Sequence, residues 1–140
     1  MSALFGRLTA VVMISIVDET TAGRGPDAWH LEIFEERLPL REVIRRRVFQ
    51  EVAEHNARRS GEFRGLVQPS EIERGLNGAP VYEHRRVDPH RQYDRAVEAF
   101  SRNGFIVLVD DRQVEDLDAQ VELRTGTEIT FLRLVPLVGG

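Results

Sequence analysis

Apolar and polar positions follow a period of two near both ends of the chain and a period near four in its middle. Val11-Val-Met-Ile-Ser-Ile-Val17 is an apolar run closed by a turn-rich segment, Asp18 to Asp27, that holds Gly23, Gly25 and Pro26. This pattern predicts a buried strand followed by a turn. From about Ala28 to Phe34, Trp29, Leu31 and Ile33 alternate with His30, Glu32 and Phe34, which predicts a second strand. Two adjacent strands joined by a loop imply an antiparallel hairpin. From Leu38 to Arg59 the pattern changes. Leu40, Ile44, Val48 and Val52 recur every four residues, widened by Val43 and Phe49, and this stripe predicts a helix. Pro39 suits its first helical position and Ser60-Gly61 its end. Arg41, Arg45, Glu51 and Arg58 lie off the stripe, and the run Arg45-Arg46-Arg47 reads as its polar side.

Residues 60–87 show no clear period but keep Phe63, Leu66, Val67, Ile72, Leu76, Val81 and Tyr82, which argues for ordered packing. A short helical piece fits Pro69 to Arg74. Asp88-Pro89 supplies an N-cap and a first-turn proline. The helix they open runs to about Asn103, with Tyr93, Ala96, Val97 and Phe100 as its apolar face and Gly104 as its stop. Phe105-Ile-Val-Leu-Val109 is apolar throughout, so it predicts a central strand or burial on both faces. Asp110-Asp111 predicts a tight hairpin turn, Arg112–Val114 a short return strand, and Leu117, Val121 and Leu123 the anchors of a connecting loop. Gly126 then turns the chain into a last strand, Thr127 to Val135, expected at the centre of the sheet. Helices segregated from a mixed sheet make an α+β domain.

The totals sharpen this picture. A chain of 140 residues suits a single domain, and 41% apolar residues supply a core. The net charge of -4 argues against nucleic acid as a partner. The run Met1 to Val17 meets Asp18-Glu19 at once and is too short to span a membrane, so a cytoplasmic location without membrane contact is expected. The absence of cysteine excludes disulfides, thiolate metal sites and cysteine nucleophiles. Lysine is absent too, all nineteen basic residues being arginine. Codon usage of a GC-rich genome produces such a bias; so does a protein that is attached to lysine amines and offers none of its own. His30, His55, His84 and His90 match no ligand spacing and read as surface residues, so no metal is expected. Asp110, Asp111, Glu115, Asp116 and Asp118 do not fit a calcium loop. No nucleophile–base set, phosphate-binding glycine loop or carboxylate pair stands out, and the chain reads as a carrier rather than an enzyme.

The closing stretch carries the strongest motif. Val107-Leu-Val-Asp-Asp-Arg-Gln-Val114, then Gly126-Thr-Glu-Ile-Thr-Phe-Leu132, then Pro136-Leu-Val-Gly-Gly140 resembles the ubiquitin-like β-grasp proteins. It is most similar to the small subunit of molybdopterin synthase and the thiamine sulfur carrier, and more loosely to bacterial ubiquitin-like modifiers. The resemblance covers residues 8–59 and 104–140. It implies a ubiquitin-like β-grasp with a helical insertion, residues 60–103, between the main helix and the third strand, and a flexible tail at 136–140. Two positions depart from the pattern: Asp110-Asp111 stands where Asn-Gly is frequent, and Thr127 where an acid is common. The resemblance further implies that the Gly139-Gly140 carboxylate is adenylated by a ubiquitin-activating-type enzyme that uses ATP, the chain holding no cofactor itself. Pro136, Leu137 and Val138 would be recognised as the tail threads that enzyme. A conjugating enzyme, an isopeptidase and target proteins would be further partners. The activated Gly140 would be joined to an amine or converted to a thiocarboxylate; an ordinary frayed end on a non-covalent binding module is the alternative.

Alternation in the last strand sends Ile129 and Phe131 inward and Thr130, Leu132 and Leu134 outward, with Ile106 and Leu108 as outward neighbours. Those side chains, with Arg133 beside them, form the expected docking surface, unless the helix around Tyr93 to Phe100 covers it.

Overall fold

The computed structural model describes residues 11–25, 28–58, 63, 65–67 and 86–134. The helical piece from Pro69 to Arg74, Ser60-Gly61, His84 and the tail Pro136–Gly140 lie outside the described residues. The architecture is α+β, and the chain divides into two compact units, residues 1–40 with 103–140 and residues 41–102.

The first unit is a mixed sheet. Its strands are β1 (Val12–Thr20), β2 (Gly23–Arg24), β3 (Trp29–Ile33), β5 (Phe105–Val109), β6 (Arg112–Val114) and β8 (Glu128–Arg133). The order is β2-β1-β8-β5-β6, and β3 pairs with β1 on the same side as β2. The expected opening hairpin is present, antiparallel from Val12↔Ile33 to Ile16↔Trp29. The last strand lies at the centre as expected, parallel to β1 and antiparallel to β5. β1 runs three residues past Val17, through Asp18, Glu19 and Thr20. The reason is pairing on both sides: Glu19 and Thr20 meet Arg24 and Gly23 on one side and Leu132 and Arg133 on the other. One face of the sheet carries the core side chains Ile14, Ile16, Leu31, Ile33, Phe105, Val107, Ile129 and Phe131, all buried.

The turn at Asp110-Asp111 is the tight hairpin expected. Both residues have positive φ, 46° and 68°, as a two-residue hairpin loop of the right twist requires. Asp110 is fastened to the neighbouring strand: its Oδ1 accepts the Glu128 N–H at 2.9 Å and its own N–H donates to the Glu128 carbonyl at 2.8 Å.

Two short strands correct the sequence reading. β4 (Arg37–Pro39) pairs antiparallel with β7 (Gln120–Glu122), setting Leu38 opposite Val121. Leu38 and Pro39 therefore end a strand instead of opening the helix, and Val121 belongs to a strand, not a loop. Leu38, Val121 and Leu123 are buried, and the Leu40 N–H donates to the Ala119 carbonyl at 2.9 Å. Burial and that bond hold the segment extended up to the first helical residue.

The second unit holds the two helices, α1 (Leu40–Ala57) and α2 (Pro89–Ser101). The stripe of Val43, Ile44, Val48 and Val52 on α1 is buried as its period predicts, and Phe49 is half-buried. Helix α1 stops at Ala57, two residues before Arg59. In α2, the Asp88 Oδ1 accepts the His90 N–H at 2.9 Å and Pro89 occupies the first turn. Its buried face is Gln92, Ala96 and Phe100, with Tyr93 and Val97 only half-buried. The left-handed residue after the helix is Asn103, φ 60°, and not Gly104; asparagine is the common substitute for glycine there. Asn56 joins the end of α1 to the approach of α2, since its side chain receives the Val87 N–H at 2.9 Å and donates to the Val87 carbonyl at 3.0 Å.

Candidate functional site

The site begins at the described end of the last strand. Strand β8 is held on both sides up to its end. The Arg133 carbonyl accepts the Thr21 N–H at 3.3 Å, and the Leu134 N–H donates to the Gly104 carbonyl at 3.1 Å. These bonds join the strand end to the β1–β2 turn on one side and to the start of β5 on the other. Beyond Leu134 six residues remain, Val135 to Gly140, all outside the described residues. The terminal pair Gly139-Gly140 and the recognition segment Pro136, Leu137, Val138 therefore have no described geometry.

The outward face beside this exit can be read from the register. Thr130 lies between Val17 and Leu108, and Leu132 lies between Glu19 and Ile106. The expected neighbours of Leu132 thus share its face. Ile106, Leu108 and Leu132 are half-buried, and Leu134 is the open end of the row, 41% exposed. Val17, 1% exposed, is a member of this face that the sequence reading missed, although the doublet Ile16-Val17 placed apolar residues on both faces at once. Thr130 is likewise buried on this face, 4% exposed.

Arg133 does not belong with this row. Strand alternation sends it to the face of Phe131 and of its register partner Phe105, opposite to Leu132 and Leu134. It is exposed at the strand end.

Two expectations about charged and polar residues are corrected. Arg47 is not on a solvated side of α1; it is 1% exposed and ion-paired with Glu51, its Nε lying 3.2 Å from Oε1. Glu51 Oε1 also accepts the Leu66 N–H at 3.2 Å. His55, read as a surface histidine, is 1% exposed, with its ring edge-on to Phe63 at 5.3 Å between centroids. The signal for all three was the spacing Val43, Arg47, Glu51, His55, one row of a helix at steps of four. This row anchors Phe63 and Leu66 within the second unit. His30 and His90 are exposed, as expected.

Among the described residues no group of three or more His, Cys, Asp or Glu is arranged to hold a metal ion, and no helix is long and apolar enough to cross a membrane. What the site offers is a half-buried aliphatic row, Ile106, Leu108 and Leu132, that ends at the exposed Leu134 beside the hydrogen-bonded end of β8. Comparison with protein-family models, with curated proteins and with solved structures returns no match.

Proposed function

We propose that the chain is a ubiquitin-like protein modifier of β-grasp fold, activated at Gly140 and joined to target amines. The observation that carries this reading is the place of β8. It lies at the sheet centre, parallel to β1, and among the described residues its hydrogen bonds run as far as Leu134, with Val135 to Gly140 following in the sequence. The chain order also supports a β-grasp: an antiparallel hairpin, a helix, a second hairpin, and a final strand that returns beside the first. Covalent geometry limits the reach of a six-residue tail to about 20 Å, enough to thread a narrow channel while the sheet stays outside. Two terminal glycines remove the side chains that would obstruct the end of such a channel.

The chemistry then belongs to a partner. A Gly140 carboxylate oxygen attacks the α-phosphorus of ATP on a ubiquitin-activating-type adenylating enzyme and pyrophosphate leaves. A target amine displaces AMP from the acyl-adenylate directly, or a thiol on a conjugating enzyme displaces AMP and the amine then displaces that thiol from the thioester; an isopeptidase hydrolyses the resulting amide bond. Ile106, Leu108, Leu132 and Leu134 form the surface that docks on the enzyme, the exposed Leu134 and the half-buried residues beside it supplying the aliphatic contact. Lysine absence favours a modifier over a sulfur carrier, because a modifier without lysine cannot become a side-chain target of its own conjugation.

The test uses affinity-tagged full-length chain and chain lacking Gly139-Gly140, each incubated with ATP in an extract of the native host. The expected result is ATP-dependent, reductant-resistant adducts of higher mass with the full chain only. Adducts that form equally well without the two glycines contradict the proposal. Replacement of one Gly140 oxygen by sulfur in the intact mass, with no adducts, assigns the chain to sulfur transfer instead.

A further inference from the structure

We infer that the outer edge of β3 is a self-association site, at which a second copy of this chain adds its own β3 antiparallel to extend the sheet. The hydrogen-bond parity of β1 identifies the groups involved. Ser15 donates its N–H to the Thr127 carbonyl and Met13 accepts the Gly126 N–H, so odd-numbered residues of β1 aim their main-chain polar groups at β8. Even-numbered residues aim theirs at β3, and Ile14 therefore bonds to its register partner Leu31. On β3 this leaves His30 and Glu32 with N–H and carbonyl pointing away from β1. Among the described residues no strand flanks that side, and both residues are exposed.

An edge of this kind is a template for another chain, and the side chains select the partner and its register. Only residues with outward-pointing main-chain groups can exchange hydrogen bonds across a new antiparallel junction; the residues between them face each other as non-hydrogen-bonded pairs. Of the two-fold registers, one centred on His30 sets His30 against His30, and one centred on Glu32 sets Glu32 against Glu32. The register centred on Leu31 sets His30 against Glu32 of the second copy, twice by symmetry. That register alone places an acceptor carboxylate opposite an imidazole at both sites, whereas like charges directly opposite are unfavourable. The same register, continued by one step, brings Phe34 over Ala28 of the second copy. Phe34 is 64% exposed, the most exposed large apolar side chain among the described residues, and it lies on the same outer face as Glu32. A small, edge-only interface of this kind belongs to the weak, reversible class.

Sedimentation equilibrium of the full chain over about three decades of concentration tests this, from the micromolar range typical of weak association upward. The weight-average mass should rise from 16.0 kDa toward twice that value. Glu32→Pro removes an N–H that points away from β1, so it should abolish the rise while leaving the melting transition in place. His30→Glu and Glu32→Arg should each weaken association at least several-fold, and the double variant His30→Glu/Glu32→Arg should restore it, since the charges remain opposed only in the register centred on Leu31. A wild-type chain that stays at 16.0 kDa throughout overturns the inference. So does a dimer that persists in Glu32→Pro, or a double variant no tighter than the two single ones.

Discussion

Asp111 holds a left-handed backbone, φ 68°, without the freedom of glycine. Substitution Asp111→Gly should therefore raise stability by about 0.5–1 kcal/mol, the usual gain when glycine meets positive φ in a hairpin turn. Asp110→Gly should lose stability despite its own φ of 46°, because the Glu128 N–H then loses the Asp110 carboxylate. Urea unfolding of the two variants checks the opposite signs. A second residue-scale prediction concerns the Arg47–Glu51 pair. Glu51→Ala leaves the Arg47 guanidinium buried and the Leu66 N–H without its carboxylate, and should cost about 3–5 kcal/mol. The double variant Arg47→Met/Glu51→Leu should recover much of that loss, since it leaves no buried charge; denaturant midpoints distinguish the two outcomes. At this scale the sequence was only partly legible. The turn residues Asp110-Asp111 and the cap Asp88 announce themselves through local chemistry. Arg47 does not, because a run of three arginines looks solvated until the row Val43, Arg47, Glu51, His55 is followed around the helix.

Long elements are legible; of the short ones only β6, Arg112–Val114, was, through the Asp110-Asp111 turn that precedes it. β1, β3, β5, β8 and both helices repeat their period often enough to be recognised, whereas β4 and β7 have three residues each and β2 has two. No alternation can establish itself over such lengths, and pairing defines them: β4 and β7 with each other across the chain, β2 with the adjacent β1. The two-residue shift in the start of α1 has the same origin, because Leu38 and Pro39 are committed to β7. Within β8 the two ends of one alternating strand should respond differently. Phe131 is buried at the sheet centre, so Phe131→Ala should cost about 3–5 kcal/mol. Leu134 is largely open, so Leu134→Ser should change stability by less than about 0.5 kcal/mol, as surface substitutions do. Yet Leu134→Ser should weaken docking of the adenylating enzyme. Urea unfolding, run alongside the rate of ATP-dependent adduct formation, separates the structural role from the docking role.

For the whole molecule, the strand order is the level at which sequence and structure meet. The β-grasp resemblance implied a central final strand, alternation implied which of its residues face outward, and the register of β8 against β1 and β5 places Leu132 and Ile106 together on that outward face. Arg133 fell on the other face because every step along a strand reverses direction. Val17 escaped notice because β1 was read as one apolar run rather than as two faces. The proposed division of labour follows from this frame: a sheet that holds β8 up to Leu134, a surface that a partner covers, and a terminal carboxylate that the partner activates. Trypsin offers a direct view of that carboxylate, because Arg133 is the last basic residue of the chain. Digestion of adducts from the native host should release branched peptides in which Leu134-Val-Pro-Leu-Val-Gly-Gly140 is joined through Gly140 to a lysine of another protein. Recovery of that segment solely as the free acid, from native-host cells in which the chain is expressed and purified with everything bound to it, would contradict the account.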